Sequence, residues 1–360
     1  MKTVRMTAAR GQAPPAGAQI TIGVDLARNK WVYAVHWDGA VHRQLVTAGA
    51  LEHLQALVRD YPPAHRVRVI YEACGFGYEI AWWAQAQDIA VVVVAPSRVE
   101  RVPGPRVKTD RLDARTLAHK GAQGQLKGVV PPTRAHHEAR QALRTYRQAV
   151  RARSRAQAQL RSLCQEHGRL GPAPAQGWRR YEQWLAAQAW AAPVAMSVAE
   201  LQHLRAAAAS SVQRLRRALQ ALAAQPAYRP VVDALTSHPG VGEFTALALQ
   251  LEIGDPRPRF ANAAAWVNAL GLTPREASTG DGPAHRGAIQ KCGSGWLRAL
   301  LVQCAWVATR TDPTLRAVFD RLSPRVGPKR AIIAVARRLA IRLRARWLEA
   351  LAATPPAAAA

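Results

Sequence analysis

The chain has 360 residues and carries 50 Lys and Arg against 23 Asp and Glu, a formal net charge of +27. Hydrophobic residues make up 49%, enough for the cores of two or three domains, which excludes wholesale disorder. So basic a surface calls for a polyanion, nucleic acid or an acidic membrane. No stretch offers the roughly 18 uninterrupted apolar residues of a spanning helix, so no membrane partner is expected.

Residues 1–17 are basic and lack an apolar segment, so they read as a flexible leader and not as a signal peptide. Cys74, Cys164, Cys292 and Cys304 form no CxxC pair. They fit a reducing cytoplasm better than a disulfide framework or a zinc site.

Residues 18–133 alternate strand and helix patterns. Ile20 to Asp25 is an apolar run ending in an acid, and Trp31 to Val35 and Val41 to Val46 follow it around the hairpin signal Asp38-Gly39. Leu51 to Val58 has helical spacing, Val67 to Tyr71 is a strand, Tyr78 to Ala86 a helix and Val91 to Val94 a buried strand. This order predicts a mixed sheet with helices on its faces, an α/β unit.

Strand signals vanish over residues 134–226. Arg134 to Arg169 holds nine arginines and two glutamates, which predicts a long basic helix, one arm of an antiparallel or coiled-coil pair. Gly168, Gly171, Pro172 and Pro174 end it, and Leu201 to Leu222 resumes helical spacing. Such a helix is either a solvated connector or a phosphate-binding surface, and Arg144, Arg147 and Arg151 are the candidate contacts.

Residues 227–347 form a third, mainly helical unit, and 348–360 are an Ala/Pro tail with nothing to bury. His238-Pro239-Gly240-Val241-Gly242 sits between two helical patterns as a helix-hairpin-helix-like turn. Gly240 and Gly242 there let backbone approach a phosphate, or simply make the turn. Arg321 to Arg346 holds nine basic residues and no acid. Beyond Pro328 it reads as a helix with an aliphatic stripe against a core and a basic face outward.

Four acids stand out by placement. Asp25 and Glu72 end strands, and Asp110 and Asp113 share one face at the start of a helix. Each alone is an ordinary strand-end or cap acid. Together they would need a cation to stay ionised, and an all-oxygen set suits Mg²⁺ or Mn²⁺ better than zinc. Two such ions form a common clamp for phosphoryl transfer. Gly75-Phe76-Gly77 resembles a dinucleotide-binding turn, but Ile80 stands where Gly or Ala is expected, and no GxxxxGK[ST] is present.

Three strings carry a resemblance: Gly23-Val24-Asp25-Leu26-Ala27-Arg28-Asn29-Lys30, Tyr71-Glu72-Ala73-Cys74-Gly75 and Lys108-Thr109-Asp110-Arg111-Leu112-Asp113-Ala114. They look like the N-terminal half of the IS-one-ten family of insertion-sequence transposases. That resemblance implies a RuvC-like, RNase H-type domain whose Asp-Glu-Asp-Asp set is Asp25, Glu72, Asp110 and Asp113. Leu270 to Gly280, followed by His285 to Gly293 and Trp296 to Leu301, is similar to the family's second domain, whose loop serine is the nucleophile. On this chain that serine is Ser278, with Thr279 beside it. Arg286, Lys291 and Arg298 are placed to neutralise a pentavalent phosphate. Serine needs a base or a metal at neutral pH, and His285 is the nearest candidate base. Two positions depart from the family pattern: Ser294 replaces the usual Asn, and Gln290 the usual Ser or Thr.

The resemblance implies a transposase that cuts and rejoins DNA through Ser278, assisted by Mg²⁺ on the acids. It further implies guidance by a non-coding bridge RNA, a dimer or tetramer of the chain on DNA, and a bacterial cytoplasmic, nucleoid-associated setting. A Piv-type invertase, a metal-dependent junction nuclease working with water, and an inactive nucleic-acid-binding remnant stay open as alternatives.

Overall fold

The computed structural model describes residues 13–61, 66–96, 110–277, 285–290 and 292–353. They fall into two compact units, 1–134 and 135–360, which are taken in turn.

The first unit is built on a six-stranded sheet in the order β3-β2-β1-β4-β5-β6. Strand β1 (Gln19–Leu26) pairs antiparallel with β2 (Trp31–Trp37), which pairs antiparallel with β3 (Ala40–Thr47). The β2–β3 turn is the expected Asp38-Gly39, with φ of 53° and 81°, the left-handed pair that a two-residue hairpin requires. Helix α1 (Leu51–Arg59) returns the chain to β4 (Arg66–Glu72), parallel to β1. Helix α2 (Glu79–Ala86) leads to β5 (Ala90–Val94), parallel to β4. A two-residue strand, β6 (Gly128–Val129), closes the edge antiparallel to β5; a segment that short carries no period for sequence reading to detect.

β1 is central and covered on both faces, which is why Ile20 through Val24 are all buried and its sequence is continuously apolar. One cover is α3 (Asp110–Ala122). It lies very close to the sheet because glycines meet it: a Cβ on Gly23 would overlap the Ala114 carbonyl oxygen and sit 2.6 Å from Ala118 N. A Cβ on Gly121 would likewise overlap the Ile70 side chain.

The second unit begins with a helical hairpin. α4 (Arg134–Glu166) and α6 (Ala192–Ala223) run antiparallel, since Leu160 and Cys164 near the end of α4 cluster with Val198 near the start of α6. At the other end, Leu143 shares a core with Leu219 and Ala223. Helices of 33 and 32 residues this polar need packing at both ends to persist. A 3-10 turn at Pro174–Gln176 and α5 (Trp178–Ala186) supply the distal packing, with Tyr181 and Leu185 buried. Arg161 lies 5.3 Å from the Trp178 ring, Arg169 lies 4.2 Å from that of Trp190, and Arg205 pairs with Glu182 at 2.5 Å.

The proximal core gathers α7 (Arg229–Thr236), α8 (Glu243–Ile253), α9 (Ala263–Ala269), α10 (Gly295–Thr311), α11 (Pro313–Val326) and α12 (Pro328–Ala353). Asn262, Ser294 and Asp312 cap α9, α10 and α11 with their side chains. α12 buries Ile332, Val335, Leu339, Leu343 and Trp347, the aliphatic stripe expected beyond Pro328. Trp266 donates from Nε1 to the Ala340 carbonyl at 2.9 Å and meets Trp347 edge-on at 5.8 Å. Between α9 and α10 stands a hairpin of β7 (Pro274–Ala277) and β8 (His285–Ile289), where the sequence reads only as a loop and a turn. Among the described residues no helix is long and apolar enough to cross a membrane.

Candidate active site

The parallel register of β1 and β4 runs from Gln19↔Arg66 to Val24↔Tyr71, so the next residues, Asp25 and Glu72, stand side by side where the two strands end. Side chains alternate along a strand, so Asp25 shares a face with Gly23 and Thr21, and Glu72 shares one with Ile70. That face is the one α3 covers: Thr21 and Ile70 lie at Gly121, and Gly23 lies at Ala114 and Ala118. Helix α3 therefore runs opposite to β1, and each step of two strand residues matches about one helical turn. One more step brings its first turn, with Asp110 and Asp113, to the end of β1 that carries Asp25. All four acids are partly buried.

The electrostatics agree. Burial raises the pKa of the Cys74 thiol, a bond from the Phe76 backbone lowers it, and the Asp25 and Glu72 carboxylates raise it further. Lys30, on the β1–β2 turn, places Nζ 2.5 Å from Asp110 Oδ2. Neither Lys30 nor Cys74 is singled out by sequence reading, because only the fold brings them to the acids. Among the described residues no three His, Cys, Asp or Glu side chains stand close enough together to hold an ion. The candidate donors, near the ends of β1 and β4 and on the first turn of α3, are nonetheless all carboxylates, a donor type that suits a hard divalent cation.

Ser278 is the residue after β7 and lies outside the described residues, as do Thr279 and Lys291. Arg286 is in β8, opposite Glu276 in the ladder. Arg298, on the first turn of α10, directs Nη1 to the carbonyl oxygens of Cys292 at 3.3 Å and Gly271 at 3.5 Å. It thus straps together the two ends of the segment that carries the hairpin. Gly240, with φ of 86°, presses on α10, where a Cβ would come within 2.6 Å of the Cys304 carbonyl. That is a packing reason for this glycine. Gly242 has open space around its Cα and is the residue before α8.

The three arginines of α4 divide. Arg147 Nη1 bonds Glu252 Oε1 at 2.7 Å, and its guanidinium lies 4.4 Å from the Trp296 ring. Arg144 and Arg151 are exposed. Arg147→Ala is expected to cost about 2 kcal/mol in urea unfolding, less than a fully buried pair because the partners keep some solvent. The double reversal Arg144→Glu/Arg151→Glu should leave stability within about 0.5 kcal/mol. It should reduce the slope of log DNA affinity against log salt by about two.

Residues 22–168 match the DEDD_Tnp_IS110 transposase family, and residues 232–320 match the Transposase IS116/IS110/IS902 family. These matches, over a mixed-sheet first unit and a helical second one, define a transposase, an enzyme class that cuts DNA and transfers the strands. Among similar proteins, one named "Putative transposase y4qE" from Sinorhizobium fredii is 31% identical over 301 residues, covering 82% of this chain and 73% of that protein. The transposase for insertion sequence element IS1111A of Coxiella burnetii is 26% identical over 297 residues, covering 74% of each. An insertion element IS110 protein of Streptomyces coelicolor is 32% identical over 117 residues, 32% of this chain and 28% of that one. The chain belongs to the IS116/IS110/IS902 family of insertion-sequence transposases. It is accordingly a DNA-binding enzyme.

Proposed function

We propose that the protein recombines DNA by transesterification on Ser278, with a RuvC-like, RNase H-type first unit that binds Mg²⁺ or Mn²⁺. What supports this reading is that α3 covers the sheet face shared by Asp25 and Glu72, with Asp110 of its first turn meeting Lys30 of the β1–β2 turn. Ser278 Oγ attacks the scissile phosphorus. A P–Oγ bond forms and a P–O bond to deoxyribose breaks; the serine proton leaves to base or solvent, and the released sugar oxygen takes one up. The phosphoserine keeps the energy of the broken ester, so attack by the sugar hydroxyl of an exchanged strand rejoins DNA with no nucleotide cofactor. Asp25, Glu72, Asp110 and Asp113 would hold the cation, which supplies charge screening at phosphate and favours the ionised nucleophile. Arg286 and Lys291 offer charge to the pentavalent phosphate, and Arg298 holds the base of the hairpin.

The +27 charge suits a chain that holds RNA together with DNA, and a bridge RNA is the proposed guide. The acting form is a dimer or tetramer in the bacterial cytoplasm, at the nucleoid. The division into leader, sheet domain, basic helical region, serine domain and tail follows residues 1–17, 18–133, 134–226, 227–347 and 348–360. Sequencing the nucleic acid that copurifies with the protein tests the guide: one structured non-coding RNA encoded beside the element is expected. Recovery of bulk cellular RNA alone would overturn it.

A further inference from the structure

At the foot of the β7–β8 hairpin lies a cavity of about 540 Å³, bordered by Asn268, Thr273, Gln290 and Arg337, with Ala264 and Ala265 as a low apolar wall. Its size is that of a small-ligand site. Its polar groups are already oriented. Thr273 Oγ1 donates to Asn268 Oδ1 at 3.0 Å, and the Cys292 thiol lies 3.4 Å from Gln290 Oε1. The Gln290 backbone N–H donates to the Thr273 carbonyl at 2.9 Å and fixes the spacing of the two walls. Asn268 Oδ1 is thus engaged, and the N–H₂ groups of Asn268 and Gln290 are donors available to a ligand. Among the described residues Arg337 has no hydrogen-bond or ion-pair partner and no acid borders the cavity.

Arg337 also borders a second cavity of about 560 Å³ between α11 and α12, where Arg321 and Arg338 stand over Val318 and Leu322 and Arg342 is paired with Asp312 at 2.6 Å. One guanidinium therefore joins an Arg-lined groove to a pocket with amide donors and an apolar wall. A groove of that charge tracks a phosphate backbone, while amides at hydrogen-bonding distance read base edges. The pocket opens beside Pro274, the first residue of β7, the strand that precedes Ser278 in the chain.

We infer that this cavity is a nucleotide subsite, holding one unstacked nucleotide of the DNA strand that leads to Ser278. The base lies against Ala264 and Ala265 and is read by Asn268 and Gln290, and its phosphate is held by Arg337. The inference rests on the reading of Ser278 as the residue that attacks DNA. Gln290, on the wall of the pocket, is then a specificity-determining residue of this chain.

The test titrates the full-length protein with each of the four 2′-deoxynucleoside 5′-monophosphates, following binding by ligand-observed NMR. Saturable binding with preference for one base is expected. Gln290→Ser should change that preference by about 5-fold or more, the range of one amide–base pair. Arg337→Gln should weaken all four by about tenfold. Ala265→Trp, which fills the pocket from an exposed wall, should abolish binding while the thermal midpoint stays in place. Absence of saturable binding to the wild type, or binding that survives Ala265→Trp, overturns the subsite. The serine reading fails separately, if Ser278→Ala still forms a covalent protein–DNA adduct; monophosphate binding does not depend on that hydroxyl.

Discussion

Ser278→Ala is expected to abolish the covalent protein–DNA intermediate and to lower recombination by on the order of 10⁴-fold or more, the scale on which removal of a nucleophile acts. Thr279→Ala should retain both. The contrast separates a particular hydroxyl from hydroxyls at the loop in general, and it separates transesterification from hydrolysis. A nuclease that uses water leaves no denaturation-resistant adduct with either variant. DNA affinity and its salt dependence should be unchanged in Ser278→Ala, because one neutral hydroxyl carries none of the charge that releases counter-ions. The assay is electrophoresis of denatured reactions on labelled element-end DNA, with mass spectrometry to locate the phosphoserine. An adduct in Ser278→Ala, or its loss in Thr279→Ala, refutes the assignment.

Asp25→Asn should be nearly as severe, lowering recombination by on the order of 10³-fold, because it removes a charge from the carboxylate edge while keeping the side chain's shape. The substitution should leave the fold intact. Asp25 is partly buried at the end of β1, and its backbone pairing with Val32 does not involve the carboxylate. A second readout, independent of activity, is Mn²⁺ binding followed by electron paramagnetic resonance, which should weaken at least tenfold, about 1.4 kcal/mol of lost interaction. If the variant bound Mn²⁺ and recombined as the wild type does, Asp25 would have no place among the cation's ligands.

Much of the first unit was legible in sequence because its elements are short, strongly patterned and joined by turns with unambiguous chemistry. The continuous apolar run of β1, the Asp38-Gly39 turn and the buried run from Val91 to Val94 each carry a local signal, and each element lies where that signal falls. The long helices are legible for the same reason, although α6 starts at Ala192, before the clear spacing from Leu201, and α5 carries no clear helical signal. The Ala-rich start of α6 has little periodicity. In α5 the Trp-, Arg- and Gln-rich sequence hides an amphipathic face that only Leu160, Cys164 and Val198 complete. The β7–β8 hairpin is not legible as strand because elements of four and five residues cannot establish an alternation.

The roles of the arginines were the least legible. Arg144 and Arg147 are equivalent as letters in a basic helix, yet one is exposed and the other pairs with Glu252 across a helix interface. Arg298 reads as a phosphate ligand in sequence, which gives no sign that its guanidinium also reaches two backbone carbonyls at the hairpin base.

What the sequence determined by itself was the places of the candidate acids, near the ends of β1 and β4 and on the first turn of α3, and the polyanionic character of the partner. Those depend on residue type and on spacing along the chain. The tertiary structure decided which charges face solvent and which are engaged in packing, and that Lys30 stands at Asp110. It also decided that Asn268, Gln290 and Arg337 border one cavity. Such juxtapositions join residues tens of positions apart, and they arise when a core closes and excludes water, which no local pattern encodes.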